Sequence, residues 1–322
     1  MTGREGVVLL AAAAVAALLG VAVIPLLRRL RLGQSIRNDG PATHLVKAGT
    51  PTMGGILILG GLATGLAVAG QFGPRLALAL LAVLVYGLLG FLDDFLKVAR
   101  RRPLGLKARY KLLWQAAGGL ALGLVVTYLP GHGTDVRVPF TGHQLELGSL
   151  YPAFVMLLAV GTVNAVNLTD GLDGLAAGLI LIALATYAFL AAVLGVAEIT
   201  AFCLATAGGC VGFLVHNRHP ARVFLGDTGA MALGGALAAV AVLTRTELVL
   251  PIIGGVFVAE TLSVMAQVAS FRLTGRRVLR MCPLHHHFEL GGWAETRVVR
   301  VFWATGLVLA LLGIAGMVGG AP

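Results

Sequence analysis

Long apolar runs separated by short polar stretches fill the chain from end to end. Stretches free of Lys, Arg, Asp and Glu recur at 6–27, 53–74, 76–92, 112–131, 147–165, 174–197, 199–215, 228–244, 248–271 and 301–322, with Glu260 alone interrupting the ninth. Each is close to the roughly 17 to 25 residues a helix needs to cross hydrocarbon. Barrel strands would be shorter and would alternate, whereas continuous apolar runs satisfy their backbone only as helices. The pattern therefore predicts an all-α, polytopic membrane protein: one domain over 1–322, with ten transmembrane helices. The first run is too long for a signal-peptide core, and its basic cluster (Arg28, Arg29, Arg31) follows it, so it reads as a retained helix. Pro, Gly and an alternating Val/Arg/Val stretch predict a small hairpin around 132–146.

Composition agrees: 58% of the 322 residues are hydrophobic and 12% charged, against about 25% charged in a soluble domain. The placement of charge adds direction. The linkers after the first, third, fifth, seventh and ninth runs carry 5, 7, 0, 2 and 6 Lys and Arg, twenty in all, while Arg4, Arg75, Arg137 and Arg245 make four on the other side. Basic loops stay cytoplasmic, so five loops face the cytoplasm and both termini are extracytoplasmic. The net charge of +10 then belongs to those loops and implies no nucleic-acid partner. Cys203, Cys210 and Cys282 suggest no disulfide framework and no zinc-ribbon spacing.

Only 14 residues are acidic, so their positions are informative. Asp93 and Asp94 close the third run. Asp170 and Asp173 lie in Asn-Ala-Val-Asn-Leu-Thr-Asp-Gly-Leu-Asp-Gly between the fifth and sixth, and Asp227 opens the eighth within Val-Phe-Leu-Gly-Asp-Thr-Gly. By the charge count, all five lie at the cytoplasmic mouth. A single acid at a helix end is as easily a solvated charge, but five acids from three loops on one face point to a site. Clustered carboxylates suit a hard cation, and Mg²⁺ is typically held by one or two carboxylates plus substrate phosphates. Neighbouring Lys and Arg point to phosphate chemistry.

Three further stretches carry candidate chemistry. Lys47-Ala-Gly-Thr-Pro-Thr-Met-Gly-Gly places a Lys in a turn from which it can reach a diphosphate, without the order of a Walker A loop. Lys97, Arg100, Arg101, Arg102, Lys107 and Arg109 read mostly as juxtamembrane charges facing anionic lipid. Lys111 stands apart, because it begins a helix near the Asp pair. Cys282-Pro-Leu-His-His-His-Phe-Glu puts three consecutive histidines where they can hold phosphate oxygens. A zinc site on Cys282 and His285 lacks a second ligand pair.

These motifs resemble the phospho-N-acetylmuramoyl-pentapeptide transferase branch of the polyprenyl-phosphate N-acetylhexosamine-1-phosphate transferase superfamily, over essentially the whole chain. The Asp93–Asp94 pair and the stretch from Asn164 to Gly174 mark the superfamily. The segment 47–55 and Pro283-Leu-His-His-His-Phe-Glu289 mark the branch, and Phe224-Leu-Gly-Asp227 also fits. Ala230, Gly292 and Ala294 depart from the family pattern at positions peripheral to the acids. The resemblance implies transfer of phospho-N-acetylmuramoyl-pentapeptide from UDP-N-acetylmuramoyl-pentapeptide to undecaprenyl phosphate, with lipid I and UMP as products, in peptidoglycan synthesis at the bacterial plasma membrane. It implies Mg²⁺ on Asp227, and a homodimer. It places Asp173, Asn217, Phe224 and Gln267 around the nucleoside. Lys47, Thr52, Lys111, Asn167, Asp170, His285, His286 and His287 fall around the diphosphate and sugar, His286 counting with Asp93, Asp94 and Asp227 among the catalytic groups.

Asp93 or Asp94 is expected to take or orient the proton of an attacking prenyl phosphate, with an aspartyl-phosphate intermediate as the alternative route. Adjacent residues on a helix point about 100° apart, so the two should not share one job. Two other functions fit less well. A sister transferase using a UDP-N-acetylhexosamine would arrange the histidines differently. A secondary transporter would place its polar residues near the midplane in paired repeats, and no internal repeat is visible.

Overall fold

The structure is a computed structural model and describes residues 3–30, 47, 49–99 and 105–318. Arg31 and Arg100–Arg102 lie outside the described residues. The chain is built from helices: α1 (Gly3–Arg29), α2 (Gly55–Ala69), α3 (Pro74–Ala99), α4 (Ala108–Thr127), α5 (Tyr151–Thr169), α6 (Leu175–Val193), α7 (Ala197–Asn217), α8 (Gly226–Leu243), α9 (Leu250–Ile253), α10 (Gly255–Thr274), α11 (Leu284–Glu289) and α12 (Glu295–Val318). Among the described residues, eight helices are long and apolar enough to cross a membrane. Two more, α2 and α4, occupy the second and fourth expected runs; α2 has 15 residues, and α4 begins with Arg109 and Lys111 in its first turn.

Element boundaries differ from the apolar runs for physical reasons. The third run ends at the Asp pair, but α3 continues to Ala99. Helical backbone bonding continues through its charged last turns although the apolar run has ended. The ninth run is not one helix: Pro251 opens the four-residue α9, and the chain turns at Gly254 before α10 begins. α2 stops at Gly70, whose left-handed φ of 59° closes the helix with an N–H bond to the carbonyl of Leu66. The hairpin expected around 132–146 is present as an antiparallel pair, β1 (Asp135–Arg137) and β2 (Gln144–Glu146). It is tied to the helices by an Arg245–Asp135 ion pair and by the Phe140 N–H donating to the carbonyl of Gly316.

The centre of the bundle is α8. Every residue of this helix except Asp227 is buried. Small residues make that possible, since in a membrane close backbone approach replaces a hydrophobic drive between helices. A Cβ on Gly55 would lie 2.2 Å from the Cα of Gly229, and one on Gly90 would lie 2.1 Å from the carbonyl oxygen of Asp227. α3 and α2 therefore press directly on the first turn of α8. The glycines of the Thr-Met-Gly-Gly segment serve this contact. Phe224 donates its N–H to the carbonyl of Pro51, and its own carbonyl accepts from Gly54.

Gly90→Ala should therefore cost stability, on the order of 1–3 kcal/mol for forced overpacking. Gly161→Ala, on α5 with open space around its added methyl, should be neutral or slightly stabilising. Thermal denaturation of both variants in detergent checks this; equal effects would contradict the tight α3–α8 contact.

Candidate active site

Asp93 and Asp94 point in different directions and do different work. Asp94, on the face of α3 turned to α8, accepts the Thr228 N–H at 2.9 Å, the Thr228 hydroxyl at 2.7 Å and the Asp227 N–H at 3.3 Å. The first turn of a helix leaves N–H groups without intrahelical partners. Asp94 supplies the missing acceptor from a neighbouring helix and thereby fixes the start of α8. Thr52 packs in the same place: a Cβ on Gly226 would meet its Oγ1 at 2.5 Å and Asp94 Oδ2 at 2.8 Å.

Asp93 has no exposed surface and is paired with lysines instead. Its Oδ2 lies 2.7 Å from Lys97 Nζ and 3.1 Å from Lys111 Nζ, and its Oδ1 accepts the Leu106 N–H at 2.7 Å. The same two ammonium groups lie 3.1 and 2.7 Å from Asp227 Oδ2, while Asn167 donates to Asp227 Oδ1 at 3.2 Å. Two carboxylates and two lysines from α3, α4 and α8 thus form one closed, charge-balanced group. Lys97 belongs to it, which corrects its reading as a lipid-facing charge. The signal was in the sequence, since Lys97 is four residues after Asp93 and so shares its helical face.

Asp170 joins this group from the loop after α5. Burial raises its carboxyl above the ordinary range, the charges of Asp227 and Asp94 raise it further, and an N–H bond from Gly226 only partly offsets them.

Two further clusters meet the same loop. Asp173 Oδ1 accepts from Lys47 Nζ at 2.7 Å, and its Oδ2 accepts the Ala221 N–H and faces His219 Nδ1, both at 3.0 Å. Glu295, at the start of α12, accepts from Lys47 at 2.6 Å and from the Asp173 N–H at 2.8 Å. His219 and Glu295 were not singled out in the sequence; they lie 46 and 122 residues from Asp173 and follow no motif spacing. Asn217 stands beside them with its amide engaged, accepting from Gly174 and donating to the Val223 carbonyl. Phe224 is half-buried, with its backbone paired to the 51–54 segment.

The histidine run forms the third cluster, on α11. Each of its Nδ1 atoms has a different partner: Glu260 Oε1 at 3.0 Å for His285, Glu289 Oε2 at 2.8 Å for His286, and the Arg280 N–H at 3.1 Å for His287. Carboxylates require a donor, so the first two rings carry a proton on Nδ1; His287 Nδ1 must accept. Gln267 holds the segment before α11, accepting the Val278 and Leu279 N–H groups and donating to the Leu279 carbonyl. The ring of His285 lies against Gly171, where an added Cβ would be 2.2 Å from Nε2. The Asp170–Gly174 loop thus touches all three clusters.

Among the described residues, one cluster brings three ligand-type side chains together for a divalent cation, and a carboxylate pair makes a second place. Asp173, His219 and Glu295 bring their ligand-type atoms within 4.8 Å of one another, but Lys47 already lies within hydrogen-bond reach of both carboxylates. At Asp93 and Asp227, two ammonium groups converge on hard carboxylate oxygens, the chemistry that suits Mg²⁺. These two charges equal that of one Mg²⁺. In both places a cation would displace lysines from the carboxylates.

A family model for glycosyl transferase family 4 matches residues 76–245, and a phospho-N-acetylmuramoyl-pentapeptide-transferase signature matches 47–59. The chain is 55% identical over 306 residues to the phospho-N-acetylmuramoyl-pentapeptide-transferase of Moorella thermoacetica, covering 95% of this chain and 96% of the relative. It is 54% identical to that of Heliobacterium modesticaldum, covering 94% of each. For that of Desulforamulus reducens the identity is 53%, covering 92% and 91%.

The raised carboxyl of Asp170 has a consequence for stability. The folded protein holds a proton there that the unfolded chain has released above about pH 4, so this group's contribution falls as pH rises through its raised value. Asp170→Asn removes that cost and the repulsion from Asp227 and Asp94. Its melting temperature should match the wild type near pH 4, exceed it increasingly up to about pH 7, where the folded-state carboxyl ionises, and keep that margin above. A gain that shrinks with rising pH would contradict the assignment.

Proposed function

The chain belongs to the phospho-N-acetylmuramoyl-pentapeptide-transferase family, and from that we propose that it transfers phospho-N-acetylmuramoyl-pentapeptide from UDP-N-acetylmuramoyl-pentapeptide to undecaprenyl phosphate. The products are lipid I and UMP, and the step belongs to peptidoglycan synthesis. It works as a multi-pass protein of the bacterial plasma membrane. Ten spans, both termini outside and a site open to the cytoplasm agree with the Lys and Arg asymmetry of twenty against four. By family resemblance it is a homodimer.

The observation that carries this reading is the Asp93–Lys97–Lys111–Asp227 group. The reaction brings together two anions, a prenyl phosphate and a nucleotide diphosphate, which repel. The ammonium groups of Lys97 and Lys111, with 27% and 19% of their side chains exposed, can turn from the carboxylates to phosphate oxygens. Preorganised positive charge of this kind stabilises the charge that develops on the leaving UMP. Asp227, with Asp93 beside it, would hold Mg²⁺, which supplies Lewis-acid stabilisation of phosphoryl oxygens. Asn167 orients Asp227 through its amide.

Asp93 is read as the one of the adjacent pair that takes or orients the prenyl phosphate proton, because its partners Lys97 and Lys111 are the partly exposed groups that can turn to phosphate, whereas Asp94 is engaged with the α8 first turn. Direct attack on the sugar-linked phosphate then needs little more than alignment, as in other phosphoryl transfers. Asp173 is read at the nucleoside end, where Phe224 offers a ring for the base to stack on, and its partner Lys47 is read at the diphosphate. The histidines lie toward the sugar phosphate.

A UMP-release assay in detergent tests the reading. UDP-N-acetylmuramoyl-pentapeptide with undecaprenyl phosphate and Mg²⁺ should give UMP and a lipid-linked product; UDP-N-acetylglucosamine and omission of Mg²⁺ should give neither. Turnover of the peptide-free donor alone would reassign the chain to a sister transferase.

A further inference from the structure

Glu260 has no part in the chemistry above, yet it lies in the interior of α10 with no exposed surface. A carboxylate buried in a membrane helix is retained only with a partner. That partner is α11. Glu260 Oε1 lies 3.0 Å from His285 Nδ1, and its two oxygens are 3.3 and 3.4 Å from the His285 N–H. His285 is also fully buried. One carboxylate thus meets both the backbone of the first turn of α11 and the side chain of the first histidine.

This contact determines what the opposite edge of the ring presents. With Nδ1 donating to Glu260, the ring cannot rotate, and Nε2 is directed away from α10. There it lies against Gly171, next to Asp170, and it is buried without a hydrogen-bond partner among the described residues. Any side chain at 171 would collide with it. An imidazole braced by a carboxylate on one nitrogen and directed by the other is the arrangement by which an acid orients a histidine for work on a substrate.

We propose that Glu260 is a positioning residue: its charge favours a doubly protonated His285 ring and fixes it so that Nε2–H, packed on the Asp170–Gly174 loop, donates to an anionic phosphate oxygen when that loop takes up substrate. The proposal rests on the transferase reading, which places phosphates beside Asp170. It makes Glu260, His285 and Gly171 one mechanical unit, although they come from three separate segments of the chain.

The test compares wild type, Glu260→Gln, His285→Asn and their double variant by UMP release. Gln still accepts the ring N–H but lacks the charge. Glu260→Gln should lower kcat roughly 10–100-fold, as loss of an outer positioning group does, with donor KM changed by less than about threefold. The double variant should be no slower than His285→Asn alone. A wild-type kcat in Glu260→Gln, or costs that multiply in the double variant, overturns the proposal. Gly171→Ala should impair the wild type but cost little in a His285→Ala background, where the ring is gone; an equal cost in both backgrounds also overturns it. Side-chain ¹⁵N histidine spectra give a readout independent of turnover. A protonated Nδ1 signal that vanishes in both Glu260→Ala and His285→Asn is expected, and its persistence in Glu260→Ala refutes the pair. Wild-type enzyme inactive with this donor but showing that signal would fail the transferase reading and leave the pairing intact.

Discussion

The site depends on two carboxylates sharing two ammonium groups where α3, α4 and α8 meet. Asp93 has no exposed surface, and Asp227 is the one residue of α8 that is not buried. Brought together alone, two such carboxylates would repel and would each lose hydration, a cost that buried charges offset only through pairing. Lys97 and Lys111 lie within 3.1 Å of both. The group is neutral at rest, yet its cations are partly open to solvent. It can therefore be stable in the folded chain and still receive anions. The contact requires α3 and α8 to approach closely, and Gly90 permits that approach. It also requires α8 to begin at a fixed place, which Asp94 ensures by accepting its first N–H groups.

The loop from Asp170 to Gly174 connects this group to the rest. Asp170 responds to the charges of Asp227 and Asp94, Gly171 receives the edge of His285, and Asp173 holds Lys47, His219 and the α12 terminus through Glu295. Short-range polarity in the loop is thus translated into contacts among helices far apart in sequence. The first acid lies with the reacting phosphates in the proposed mechanism, and the last lies with the nucleoside.

Much of this was legible in the amino-acid sequence, for reasons that can be named. The apolar runs follow from the lack of water in hydrocarbon, so the helices and the hairpin were expected close to their observed places. The five acids stood out because charges near hydrocarbon are rare. Helix ends were harder to read. α3 continues past the Asp pair because backbone bonding does not stop where hydropathy does, and that extension carries Lys97 into the site. The break at Gly254 was hidden because an apolar run looks the same whether or not the helix turns within it. His219 and Glu295 were not visible at all, since only tertiary packing brings them to Asp173. The two adjacent aspartates could be expected to differ, but assigning Asp94 to the α8 terminus required knowing which helix lay beside α3.

The most direct test of the shared-charge account is the thermal stability of a charge cycle in detergent without substrate. Lys111→Met should destabilise the protein, because it leaves Asp93 and Asp227 with one cation between them. Asp227→Asn should be tolerated better. Combining the two should recover most of the melting temperature lost in Lys111→Met, while transferase turnover stays absent. Additive losses in the double variant, or a Lys111→Met protein as stable as wild type, would contradict the claim that these carboxylates are held together by the lysines they share.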